Sequence, residues 1–177
     1  MRYKVSEIED QIIATLAADT TNFSGVMVNT YAGQVSAQMF MNPEYMQGFI
    51  TLLPFALVSY QGRVGEKPDR DSALQLYKHV LTFRIFVGAQ SRRKTQESAR
   101  SCYDLLAACF DDLHGKVLVT NPQQMPALTP LSGTALTSTG ANPQSPLYET
   151  GGADEQLVVN LPNIVVYRTD YSVRLIA

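Results

Sequence analysis

The sequence predicts an α+β fold: a single mostly antiparallel sheet with two main helices packed on one face, plus long loops and an arm. Three observations carry this expectation. Helical periodicity appears near residue 10 and again near residue 100, strict alternation appears near residue 80 and near residue 170, and strands and helices do not alternate regularly. The 177 residues, 45% of them hydrophobic, suffice for one domain spanning 1–177, with a core that needs neither a disulfide nor a structural metal.

Ser6-Glu7-Ile8-Glu9 matches a capping box, and Ile8, Ile12, Ile13 and Leu16 then share one face, so 6–18 reads as an amphipathic helix. Val26 to Tyr31 follows as a short strand. Residues 35–50 are rich in Met and Gln and read as an elaborated loop with a helical turn after Asn42-Pro43. Phe55-Ala-Leu-Val-Ser-Tyr60, entered through Pro54 and closed by Gly62, is expected to be a buried strand. Arg63 to Asp71 gathers charge around Gly65 and Pro68 and is expected to be an exposed loop.

From Val80 the chain alternates, with Leu81, Phe83, Ile85 and Val87 on one face and Thr82 and Arg84 on the other, as a strand does. After Arg92-Arg93-Lys94, the residues Ala99, Cys102, Tyr103, Leu106, Cys109, Phe110 and Leu113 recur at helical spacing, with Gly115 as the stop. Thr120 to Gln156 holds five of the nine prolines and no basic residue, and is expected to be a long loop or arm with a short strand near Leu128 to Leu136. Val165 to Leu175 alternates again and closes the sheet with one buried and one wet face. The opposite sheet face is expected to be partly polar, or covered by another subunit.

The charged fraction of 17% excludes disorder through charge repulsion and leaves neutral surface suited to a subunit packed against neighbours. The net charge of −2 offers no field for gripping phosphates, which argues against a dedicated nucleic-acid binder. The acidic opening stretch lacks the apolar run of a signal peptide. No stretch approaches the roughly 18 apolar residues of a membrane helix, so a chain made and used in a cytosol, away from membranes, is expected.

The supply of catalytic groups is thin. Cys102 and Cys109 would stand about 10 Å apart on one helix face, too far for a disulfide, and read as small buried hydrophobes. His79 and His114 are the only histidines and read as structural; they form no pair at zinc-ligand spacing. Asp111 and Asp112 point about 100° apart on a helix and read as a solvated face. There is no phosphate-binding glycine loop, no dinucleotide turn and no nucleophile elbow. No catalytic residue, metal or cofactor is therefore assigned.

Several segments, taken in order, carry a resemblance. They are Ile8-Glu-Asp-Gln-Ile-Ile-Ala-Thr-Leu-Ala-Ala18, Leu53-Pro-Phe-Ala-Leu-Val-Ser-Tyr-Gln-Gly62 and Phe83-Arg-Ile-Phe-Val-Gly-Ala-Gln90. Tyr103-Asp-Leu-Leu-Ala-Ala-Cys-Phe-Asp-Asp-Leu-His-Gly115, Leu128-Thr-Pro-Leu131 and Val165-Val-Tyr-Arg-Thr-Asp-Tyr171 complete the set. Together they resemble the small tail-module protein of Mu-like contractile-tailed phages and prophages, over about residues 6 to 175. Residues 35–50 and 137–160 depart from the compact pattern.

The resemblance implies a non-enzymatic virion protein of the head–tail junction, assembled in the host cytoplasm: a tail terminator. Such a subunit would form a ring, typically a homohexamer, that caps the tail tube, takes part in tail completion and offers the docking face for head–tail joining. The implied partners are further copies of the chain, the tail tube protein, the sheath as a further candidate, and the neck or connector protein. DNA would pass through the lumen without being read. The interface candidates are Arg63, Lys67 and Arg70 in the charged loop, Arg92, Arg93 and Lys94 before the second helix, and Thr137, Tyr148 and Gln156 in the arm. Two other readings stand beside this one. A neck connector of the same particle would bind the portal side without capping a tube. A small cytosolic enzyme or ligand-binding domain would need a deep pocket with convergent polar groups.

Overall fold

A computed structural model of the chain describes residues 5–33, 43–66, 78–90, 95–114, 147–149, 156–161 and 163–176. The elements run α1 (Val5–Ala18), β1 (Met27–Thr30), α2 (Pro43–Ile50), β2 (Phe55–Glu66), β3 (Lys78–Gln90), α3 (Thr95–Leu113), β4 (Leu147–Glu149), β5 (Gln156–Leu161) and β6 (Ile164–Ile176). They build the α+β architecture expected from the sequence. The sheet order is β1-β2-β3-β6, with β4 and β5 both beside the far edge of β6. Among the described residues, only the β1–β2 pair is parallel.

The helical stripes do what their spacing requires. Ile8, Ile12 and Leu16 of α1 and Leu105, Leu106, Cys109 and Leu113 of α3 enter one core with Ala56, Val58, Leu81, Phe83, Ile85, Val87, Tyr171 and Val173 from the sheet. The even-numbered β3 residues face the other way, as strand alternation demands. There α2 adds a cover that the sequence suggested only as a turn. Its Phe49 packs with Phe55, Leu57, Phe86, Val159, Ile164 and Val166, and the Phe49 and Phe55 rings meet edge to face at 5.5 Å. Beyond α2 this face turns polar at Arg84 and Asp170, in line with the expectation for it.

Four boundaries differ from the sequence reading. α1 starts at Val5, so Ser6 lies in its first turn instead of preceding it. Its far end is closed by Asp19, whose Oδ1 accepts the amides of Thr21 and Asn22 at 3.0 and 3.2 Å. Residues 43–50, read as part of an elaborated loop, are helical. β2 does not stop at Gly62. The register with β3 shifts between Tyr60 and Gly62, a bulge that places Gln61 outside the pairing, and Gly62 takes φ 146°, which suits glycine. Beyond it Arg63 pairs with Leu81 and Val64 with Val80, so the first part of the expected 63–71 loop is strand. Finally, the 120–156 stretch contains β4 and the first residue of β5, both paired with β6. Neither segment has enough alternating residues to show itself against a proline-rich background.

Candidate functional site

The nine interface candidates divide sharply. Lys67, Arg70, Arg92, Arg93, Lys94 and Thr137 lie outside the described residues, as does the strand expected near 128–136. Arg63 is exposed on β2, opposite Leu81. Tyr148 is the middle residue of β4, opposite Ser172, and Gln156 opens β5 opposite Arg168. The sequence reading put Arg63 on a charged loop and Tyr148 and Gln156 on a long loop or arm, and at these three positions the chain is strand. All three sit on strands, because the backbone satisfies its hydrogen-bonding groups through ladders with β3 and β6.

The register also says which of them meet. Gly62, Thr82, Ser172 and Tyr148 form one row across β2, β3, β6 and β4, and Arg63, Leu81, Val173 and Leu147 form the next. Arg63 and Tyr148 thus stand at opposite sheet edges, three strand spacings or about 14 Å apart. Tyr148 and Gln156 share the same edge, beside different parts of β6. The candidates do not converge on one point. They mark the two sides on which the sheet ends.

Between those edges lies the best-defined charged pair. Arg84 and Asp170 face each other across β3 and β6. Arg84 donates from Nε to Asp170 Oδ1 and from Nη2 to Oδ2, each at 2.7 Å. The side chains are 22% and 19% exposed, so the fork-to-fork contact works in a partly desolvated setting where charge-assisted bonds are strong. The Asp170 carboxylate holds the guanidinium charge more firmly, pushing Arg84 above its usual range. The sequence gives no warning of this pair, since partners so far apart meet only through strand register.

The chemistry of the remaining groups is quiet. The Cys102 thiol is buried and points at the carbonyl oxygen of Val165 at 3.2 Å. Burial pushes it up to about 12, so it stays protonated at neutral pH. Cys109 is buried and reduced as well, in keeping with the small-hydrophobe reading of both. The His114 ring stacks on Phe110 at 4.5 Å at the end of α3. His79 is placed in β3, opposite Gly65 and Leu175. Asp111 is exposed but its neighbour Asp112 is half-buried, so only one of the two acids belongs to a solvated face.

Glu9 on α1 is a titratable group that periodicity could not single out. It is half-buried, burial raises its proton affinity, and the side-chain bond with Thr30 of β1 partly offsets that rise. Among the described residues no three His, Cys, Asp or Glu side chains gather as metal ligands would. No described helix is long and apolar enough to cross a membrane.

No protein-family model matches the chain, and no curated protein matches it.

Proposed function

We propose that the chain is a tail terminator: a non-enzymatic virion protein that closes as a ring, a homohexamer in the leading form, on the last ring of a contractile phage tail tube. One face of the ring copies the surface on which the tube polymerises. The opposite face lacks that surface, so growth ends there and the neck docks instead. The tail tube protein and the neck connector are the partners, the sheath is a further candidate, and DNA passes through unread. Assembly takes place in the host cytoplasm and the finished ring resides at the head–tail junction.

The observation that carries the reading is the ordered set of segments resembling Mu-like tail-module proteins. Five of the six segments fall on α1, β2, β3, α3 and β6, the elements that make up the main core, and Leu128 to Leu131 lies outside the described residues. A cyclic ring further requires a heterologous contact between two different surfaces of one subunit, and a sheet with two dissimilar edges supplies candidates for both.

The test is electron microscopy of a phage lysate lacking this gene, with a complemented lysate in parallel. The terminator reading expects overlong or variable tails that are not joined to filled heads. Tails of normal length beside unjoined heads would move the chain to the neck. Intact infectious particles would overturn both roles and return the question to a binding domain or an enzyme.

A further inference from the structure

The two sides of the sheet end differently. On one side β2 outruns β1: the parallel ladder stops at Val58, and Ser59 to Glu66 continues with β3 on its inner side. On the other side β5 lies outside β6. Among the described residues, no strand lies beyond either segment. Among the residues whose side chains are described, the exposed large apolar ones carried by strands lie on these two segments. Tyr60 is 36% and Val64 66% exposed on β2, and Leu157 is 49% and Val158 39% exposed on β5. Edge strands are ordinarily blunted by charge, proline or a covering element. β5 reads Gln-Leu-Val-Val-Asn-Leu and has neither charge nor proline.

Strand polarity decides which edge fits which. β2 is antiparallel to β3, β3 to β6, and β6 to β5, so β5 runs opposite to β2. A neighbour generated by rotation about an axis to which the strands are tilted therefore brings its β2 beside β5 in the antiparallel sense, which gives the more stable ladder. β1 is the poorer acceptor, because the Thr30 amide is already held by Asn29 Oδ1 at 2.8 Å. To pass β1, β5 must slide from the level of the Phe55–Gly88–Val166 row to that of the Gly62–Thr82–Ser172 row. Stagger of this kind between neighbours is what a closed array of tilted strands requires.

We infer that β5 of one copy of this chain adds as an antiparallel strand to the Ser59–Glu66 edge of β2 in a second copy. The ladder continues through the neighbour's sheet, and Leu157 and Val158 are covered against Tyr60 and Val64. The inference rests on the ring reading for its closure and names the surfaces that make the ring.

The test uses the full chain, native mass spectrometry and light scattering, with a β5-edge variant (L157K with V158K) and a β2-edge variant (Y60K with V64K). The wild type is expected to assemble, and each variant alone to associate at least about tenfold more weakly. An equimolar mixture of the two variants is expected to stop at heterodimers, since a head-to-tail contact leaves one intact junction per pair. Leu157→Cys on one copy, scanned against Tyr60→Cys and Val64→Cys on another, should give an intermolecular disulfide, with the buried Cys102 and Cys109 silent.

Full assemblies from either lysine variant would overturn the edge pairing while leaving the ring reading on some other surface. A wild type that stays monomeric at every concentration would also overturn it, and tail length in the gene-deleted lysate then judges the terminator role separately. If a lysine variant loses its thermal transition, the cysteine pairs decide, and absence of every cross-link counts against the pairing.

Discussion

The Arg84–Asp170 fork ties β3 to β6 in a position where neither partner is fully in water nor fully out of it. Exposed ion pairs contribute about 0–1 kcal/mol, whereas breaking a buried one costs about 3–5 kcal/mol. With both side chains near one-fifth exposed, Arg84→Ala should fall between, at about 1–2 kcal/mol of lost stability. Asp170→Ala should cost a similar amount, and the double variant clearly less than the sum, as denaturant melts of the full cycle would read. Strict additivity would mean that the two groups do not support each other.

Glu9 acts in the opposite direction. Burial raises it from 4.5, so the folded chain holds this proton more tightly than the unfolded one. Its support for folding is complete below the ordinary carboxylate value and is withdrawn as the pH climbs through the higher folded value. Glu9→Gln is therefore expected to raise the melting temperature at neutral pH and to leave it nearly unchanged in acid. A variant that melts lower than wild type at neutral pH would show that the Thr30 contact outweighs the burial. Residue-scale features such as these were not legible beforehand. The fork needs strand register, and the Glu9 shift needs the packing of α1 near β1.

At the scale of elements, Gly88 shows why a strand that alternates so clearly still carries a glycine. A Cβ there would lie 2.6 Å from the Phe55 ring and 2.9 Å from the Leu53 side chain. The ring occupies the space a side chain would take, on the face that α2 covers through Phe49. Gly88→Ala is thus expected to cost about 1–3 kcal/mol by overpacking, measured as a drop in the urea midpoint with an unchanged slope. A neutral substitution would mean that Phe55 moves aside freely. The two main helices and the β3 and β6 strands were legible because each repeats its period over many residues. α2 was not, since its Met- and Gln-rich flank dilutes the pattern. The far half of β2 was hidden for a different reason: the bulge at Gln61 breaks the alternation and the charges after it imitate a loop. β4 is short and owes its place to β6, a partner distant in sequence, whereas β5 forms a tight hairpin with β6, Leu161 opposite Ile164, and the register shift between Leu157 and Val159 breaks its alternation.

At the scale of the whole molecule, the proposed assembly depends on the two dissimilar edges of the sheet. The candidate contacts Arg63, Tyr148 and Gln156, which the sequence places on a loop and a loop or arm, fall on strands at opposite edges of one sheet. An edge-to-edge ladder is expected to respond to lysines placed on either strand.

Hydrophobic periodicity and composition were enough to set the α+β class, the helix pair over one face and the long strands that alternate beneath it. These depend on local repeats of apolar side chains that must be buried on one side, whatever the rest of the chain does. Register, the second cover by α2, the cross-strand fork and the identity of the edges came only from the tertiary structure. Each depends on which distant segment lies alongside, and backbone hydrogen bonding chooses that partner through the packing of the whole sheet.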